Sequence, residues 1–293
     1  MKIELTHTFE ADSRHTHAVR FVDEGRALLT GGLGGLVQRW DAEHWVRVDS
    51  FEAHEKATTG LSVGPGEALL ATTGADRTAR LWSLEEKRAR YTLHRRVRAE
   101  IGPDGKHLAT INTRGRVTLH TLATGEELGR MPEIERAAYA LAWTPKGSAI
   151  LAGGDGRIHR IHPFSGQVTA VHEGHGGKVI AIVFSASEGG FASASEEGEL
   201  FLWSTAGELR RRVDTSGARP GEVAFSPDGS LIALTLAYQL QLRSAEDGAL
   251  ITRVTTPIKG MNGLAWSPDG RRIACAAADG KVRIWAVQPS AEV

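Results

Sequence analysis

Histidine is the residue type with the most chemical promise in this chain, which carries 12 of them. His15 and His17 stand two apart, a spacing that on an extended strand turns both rings to one face. His159 and His162, and His172 and His175, make two further pairs. Such rings could serve as bases or ligands, but a zinc site needs three or four donors converging at about 2 Å. Sequence brings no third donor to any pair, so a structural or surface role is the favoured reading and no metal is expected. Gly31, Gly32, Gly34 and Gly35 lack the spacing and the following Lys of a phosphate-binding loop. Gly177-Lys178 lacks the glycine five positions earlier, and Val179 follows it. There is no Gly-x-Ser-x-Gly elbow and no obvious acid/base pair of carboxylates, so no catalytic residue and no cofactor are expected.

Composition narrows the class further. The 293 residues carry 35 basic and 35 acidic side chains and no long run of one sign, which leaves no general electrostatic grip for nucleic acid or an anionic membrane. Hydrophobic residues make up 41% of the chain, enough for a substantial core. Cys275 is the only cysteine, which excludes an intrachain disulfide framework. No apolar stretch resembles a signal peptide or a membrane helix, so a cytoplasmic protein is expected.

The elements that must position these residues come from a repeat. Trp40 (LVQRWD), Trp82 (TARLWS), Trp203 (ELFLWS) and Trp285 (KVRIWA) end matching segments. His120, Ile161 and Arg243 hold the same place in weaker copies, so seven marks recur 38 to 42 residues apart. A second set keeps step with them: Phe21, Val63, Ile101, Trp143, Phe184, Phe225 and Trp266 each end a short apolar run before a turn such as IGPDG or FSPDG. Pro presets φ and Gly accepts positive φ, so these are hairpin turns. Period-two alternation and β-branched content then give three short strands per copy and a fourth, more polar one, such as RARYTL. Seven copies of about 41 residues fit an all-β, seven-bladed β-propeller with four-stranded antiparallel blades. Arg210, Arg211 and Arg212 read as a solvated outer edge.

The last copy lacks a convincing fourth strand after Trp285, while Thr8, Phe9, Glu10 and Ala11 mirror Ser50, Phe51, Glu52 and Ala53. Residues 2–9 are therefore expected to form the outer strand of the last blade and close the ring, with residues 1–293 making one propeller.

These motifs resemble the WD-repeat family over essentially the whole chain. Trp40-Asp41 is a literal Trp-Asp, and Gly174-His175 a literal Gly-His that Ala53-His54 matches in position. Asp76 and Asp279 precede Trp82 and Trp285 by six, with Asp155 and Glu197 at the matching places before Ile161 and Trp203. The resemblance implies a buried polar network within a blade: His54, Thr72 or Thr73, Asp76 and Trp82 in blade 2, and His175, Ser193, Glu197 and Trp203 in blade 5. Blades 3 and 6 lack both the turn acid and the Trp, and are expected to rely on apolar packing alone.

The resemblance also implies partner-binding positions on the top face, around the channel mouth. They are His15, His17 and Leu33 in blade 1, and Arg95, Val97 and Thr113 in blade 3. Tyr139 follows in blade 4, and Lys178, Ile180 and Glu196 in blade 5. Arg219 and Leu236 come from blade 6 and Asn262 from blade 7. Blade 2 offers only Ala57, Thr59 and Ala75. The expected function is a non-catalytic scaffold for one or more proteins or peptides, with neither nucleic acid nor membrane as partner. The alternative is a propeller enzyme or a small-ligand or metal binder that uses His15 and His17.

Overall fold

The structure is a computed structural model that describes residues 1–12, 14–131, 138–187, 189–215, 218–257 and 260–288. Seven blades of four antiparallel strands surround a central channel. Blade 1 comprises Thr16–Val22, Ala27–Gly32, Leu36–Asp41 and Arg47–Glu52, ordered from the channel outwards. Five blades are separate sheets. Blades 4 and 5 share one, because Val168–Phe184 pairs first as the outer strand of blade 4 and then as the inner strand of blade 5.

Blade position explains strand composition. Second strands are covered on both faces by neighbouring blades, so Ala27–Gly32 and Phe191–Ser195 are buried at every residue and read as unbroken small or apolar runs. Outer strands have one wet face, and Arg47–Glu52 and Leu250–Thr255 are correspondingly polar and exposed. Arg210, Arg211 and Arg212 are exposed on the outer strand of blade 5, as the charge pattern implied.

The core is divided among the interfaces between blades. Leu29 and Val37 of blade 1 meet Leu61 and Leu70 of blade 2; Leu119 of blade 3 meets Ile150 of blade 4. The same arrangement closes the ring, where Val19 and Leu28 of blade 1 pack on Val282 and Ile284 of blade 7. Lys2–Glu10 supplies the fourth strand of blade 7, paired antiparallel with Lys281–Gln288. A ring of like interfaces distributes burial evenly and leaves no open seam.

One irregularity recurs at the start of the inner strands. Near the start of the inner strand the register slips by one residue in blades 1, 2, 3, 5 and 7. The bulged residues are His17, Thr59, Val97, Ile180 and Asn262. A bulge leaves its residue outside the ladder and turns its side chain away from the alternation of the strand.

Candidate functional site

Blade 2 carries a complete polar network. The Trp82 Nε1–H donates to Thr72 Oγ1 at 3.0 Å, and Thr72 Oγ1 lies 2.8 Å from His54 Nε2. His54 Nδ1 is 3.1 Å from both Asp76 carboxylate oxygens, so the ring donates there and accepts from Thr72. The open choice between Thr72 and Thr73 falls to Thr72. Burial holds the pKa of His54 below 6.5 against the pull of Asp76. Burial opposes ionisation of Asp76, but hydrogen bonds from Thr78 and His54 outweigh it and hold its carboxyl below the usual range.

Blade 5 repeats the chain with one correction. The Trp203 Nε1–H donates to Ser193 Oγ at 2.8 Å and Ser193 Oγ lies 2.6 Å from His175 Nε2. The acid is Glu199, 3.1 Å from His175 Nδ1, and not Glu197, which is exposed. Glu199 sits where blade 2 has Thr78, and its longer side chain reaches back to the ring.

Blades 3 and 6 do not rely on apolar packing alone. His120 replaces Trp in blade 3: its Nε2 lies 3.1 Å from Thr110 Oγ1 and its Nδ1 3.0 Å from the Gly125 carbonyl. Arg243 replaces Trp in blade 6 and donates to Gln241 Oε1, the Gly248 carbonyl and the Asp214 carbonyl at 2.9, 2.9 and 3.1 Å. In blade 7 the threonine place is taken by Cys275, which is buried beside Trp285, and burial pushes its thiol up to about 12. Such a thiol is inert.

Burial also lowers the pKa values of His120, His172 and His175. Unfolded histidines take up protons as pH falls through about 6.5, whereas the folded ones resist, so stability is lost on acidification. The lowered values of Asp76 and Glu199 act in the same direction at lower pH. The urea midpoint is therefore expected to drop between pH 7.5 and 5.5; a flat profile would contradict neutral burial of these rings.

Of the bulged residues His17, Thr59 and Ile180 line the channel cavity, while Val97 and Asn262 hold the matching register in blades 3 and 7. His15 and His17 stack with ring centroids 5.9 Å apart and planes 8° from parallel. Burial, with His15 adding to it, holds His17 below its ordinary value while Asp12 opposes. Among the described residues, no three His, Cys, Asp or Glu side chains are grouped so as to hold a metal ion. His172 is buried against Phe191 and Trp203, which takes it out of any ligand pair with His175.

Tyr139, Lys178 and Glu196 come together. The Lys178 ammonium lies 5.3 Å from the Tyr139 ring centroid and 3.6 Å from Glu196 Oε2. Leu33 and Val97 are exposed, as are Arg95, Thr113 and Arg219. The Thr113 N–H donates to the Arg95 carbonyl, which ties these two loops together. Leu236 is a correction: it is 3% exposed and packs with Leu200 and Val223 between blades 5 and 6. Its hairpin pairs Leu236 with Gln239, leaving only Ala237 and Tyr238 in the turn, so the expected contact position falls inside the strand. The exposed side chain there is Tyr238, which the spacing rule missed; the missing Gly and Asp in LTLAYQLQ were the available signal.

The family model described as WD domain, G-beta repeat, matches residues 45–83, 166–204 and 251–286. The chain superposes on the β-propeller domain of Cps50 (Swd1) from Myceliophteria thermophila with a TM-score of 0.87, covering 98% of this chain and 100% of that one at 19% identity. Three segments of the chain thus match WD repeats, on a β-propeller fold. Among curated proteins, the chain is 31% identical over 60% of its length to a p21-activated protein kinase-interacting protein 1-like protein of Danio rerio, of which it spans 49%. It is 27% identical over 65% of its length to the serine-threonine kinase receptor-associated protein of Gallus gallus, of which it spans 56%. The propeller thus spans about half the length of these two relatives.

Proposed function

We propose that the chain is a non-catalytic scaffold that binds a protein or peptide on its top face, around the channel mouth. The observation that supports this reading is the shared bulge of His17, Val97, Ile180 and Asn262 at one register of the inner strands, together with the Tyr139, Lys178 and Glu196 cluster. An aromatic ring, exposed aliphatics and a few charges fit a protein contact surface, where anchors supply affinity and charges set orientation. The relatives named for interacting with a kinase and associating with a receptor support it. The balanced charge favours a protein partner over nucleic acid or membrane. No helix among the described residues is long and apolar enough to cross a membrane. We place the protein in the reducing cytoplasm, in keeping with a single free cysteine.

Affinity purification of the full chain from its native source tests this surface. Arg95→Glu with Tyr139→Ala is expected to abolish capture of the partner while leaving the melting curve intact. Retention of the partner by that variant, with loss on substitution of the outer rim, would move the contact surface elsewhere.

A further inference from the structure

The inner strands wall a cavity of about 720 Å³ along the channel, and five charged side chains line it, Glu67 in the turn after Thr58–Val63 of blade 2 and four on the inner strands. Arg20 lies on Thr16–Val22 of blade 1, Arg98 and Glu100 on Arg96–Ile101 of blade 3, and Glu222 on Pro220–Phe225 of blade 6. Counted back from the end of each inner strand, Arg20 matches Glu100 and Arg98 matches Glu222. Other blades put small residues such as Gly60, Ala140 and Gly263 at the second of these levels, which keeps the channel open around the charges.

Each guanidinium is fixed by one bond to the backbone of the next blade. Arg20 Nε–H donates to the Leu61 carbonyl at 3.3 Å and Arg98 Nε–H to the Tyr139 carbonyl at 3.2 Å. Among the described residues, neither has another hydrogen bond or a carboxylate within 4.0 Å, so the Nη donors of both face the channel uncommitted. A guanidinium held by Nε presents a fork matched to two oxygens of a carboxylate or phosphate.

Burial disfavours the charged form of both glutamates, which weakens their opposition to the arginines. Burial raises the Glu100 pKa, with Arg20, Ser62 and Arg98 opposing, and it raises that of Glu222, with Arg98 and Arg20 opposing and Glu100 adding to the rise. A neutral carboxyl keeps an O–H donor that can point at the same ligand oxygen as the arginines.

We propose that the channel holds a small oxyanion, a carboxylate or phosphate group, between Arg20 and Arg98. The site is built on the channel wall and stands or falls independently of the top-face reading. An anion beside Glu100 and Glu222 favours their neutral forms, so binding takes up protons and weakens as pH rises. Around these groups stand Arg20 and His17 from blade 1, Arg98 from blade 3, and Ser62 and Glu67 from blade 2. The arginines keep their charge throughout, and His17, losing any charge as pH rises, works in the same direction.

Calorimetric titration of the full-length protein with inorganic phosphate, with acetate and with a short acidic peptide, at pH 6 and pH 8.5, tests the site. Wild type is expected to bind at pH 6 and roughly tenfold more weakly at pH 8.5, a difference near 1.4 kcal/mol. Arg20→Gln with Arg98→Gln should lose binding, and Glu100→Gln with Glu222→Gln should keep it with a flattened pH dependence. A preference for phosphate, acetate or the peptide identifies the source of the oxyanion, and each supports the site provided the arginine variant loses it. Should that variant not fold, Arg98→Lys, which keeps the charge and loses the fork, is expected to weaken binding. Absence of binding by all three probes, or binding indifferent to the arginine substitutions, overturns the proposal.

Discussion

Removal of residues 1–10 is expected to lower the melting midpoint more than any single side-chain change in the molecule. Lys2–Glu10 contributes a full outer strand to blade 7, pairing from Lys2 opposite Gln288 to Glu10 opposite Lys281. Its apolar side chains are tied into two interfaces. Ile3 is buried with Trp285 and Leu242, and Phe9 packs on Trp40 and Trp45 of blade 1 with centroids 4.5 and 5.7 Å apart. Burial of two such side chains contributes roughly 3–6 kcal/mol, before the lost strand pairing is counted. The midpoint should fall by about 10 °C or more, at roughly 2–4 °C per kcal/mol for a chain of this size class. The deletion also bares Lys281–Gln288 as an edge strand, so concentration-dependent association is expected alongside. Calorimetry and size-exclusion chromatography read both effects, and a peptide of residues 1–12 added in trans should restore the midpoint. An unchanged midpoint would show that the seam between blades 7 and 1 is not what holds the ring.

That seam was legible because it rests on local patterns. The match of Phe9 to Phe51 follows from outer strands that repeat one pattern from blade to blade. The Pro-x-Gly turns were legible for a similar reason: their chemistry lies in adjacent residues. Gly105 in IGPDG adopts φ +63°, as its turn requires. The blade 2 network was legible because each member keeps the family spacing.

What escaped the sequence depends on the reach of long side chains. Glu199 and Glu197 are both acids near the blade 5 turn, and only the path of the chain decides which carboxylate meets His175. His120 and Arg243 look like losses when the Trp position is matched by type, yet each fills the indole space and finds acceptors of its own. The blade 6 hairpin was misplaced because a two-residue turn shifts the strand by its own shortening, which turns Leu236 inward. The channel charges were present in VRFV, RVRAEI and GEVAF, but alternation alone does not say that one face of an inner strand looks into a cavity.

Arg243 carries the second large expectation, since it is a cation only 9% exposed, surrounded by three acceptors. Arg243→Met keeps most of the volume but leaves the Gly248 and Asp214 carbonyls without its donors. Stranding the buried Gly248 acceptor costs about 1–3 kcal/mol and the part-buried Asp214 acceptor adds less, so a loss of roughly 3 kcal/mol is expected in urea unfolding. Arg243→Trp, which restores the residue of blades 1, 2 and 5, should do little better. In those blades the indole N–H donates to Thr30, Thr72 and Ser193, whereas the equivalent residue in blade 6 is Ala233. Adding Ala233→Ser supplies the missing acceptor and should recover about 1–2 kcal/mol, a gain absent when Ala233→Ser is made alone. Wild-type stability in Arg243→Trp by itself would mean that indole volume, not the polar partner, stabilises this position. In blades 1, 2, 3, 5 and 6 the end of the third strand holds Trp, His or Arg, and in each the polar atoms of that side chain find partners within the blade or beside it.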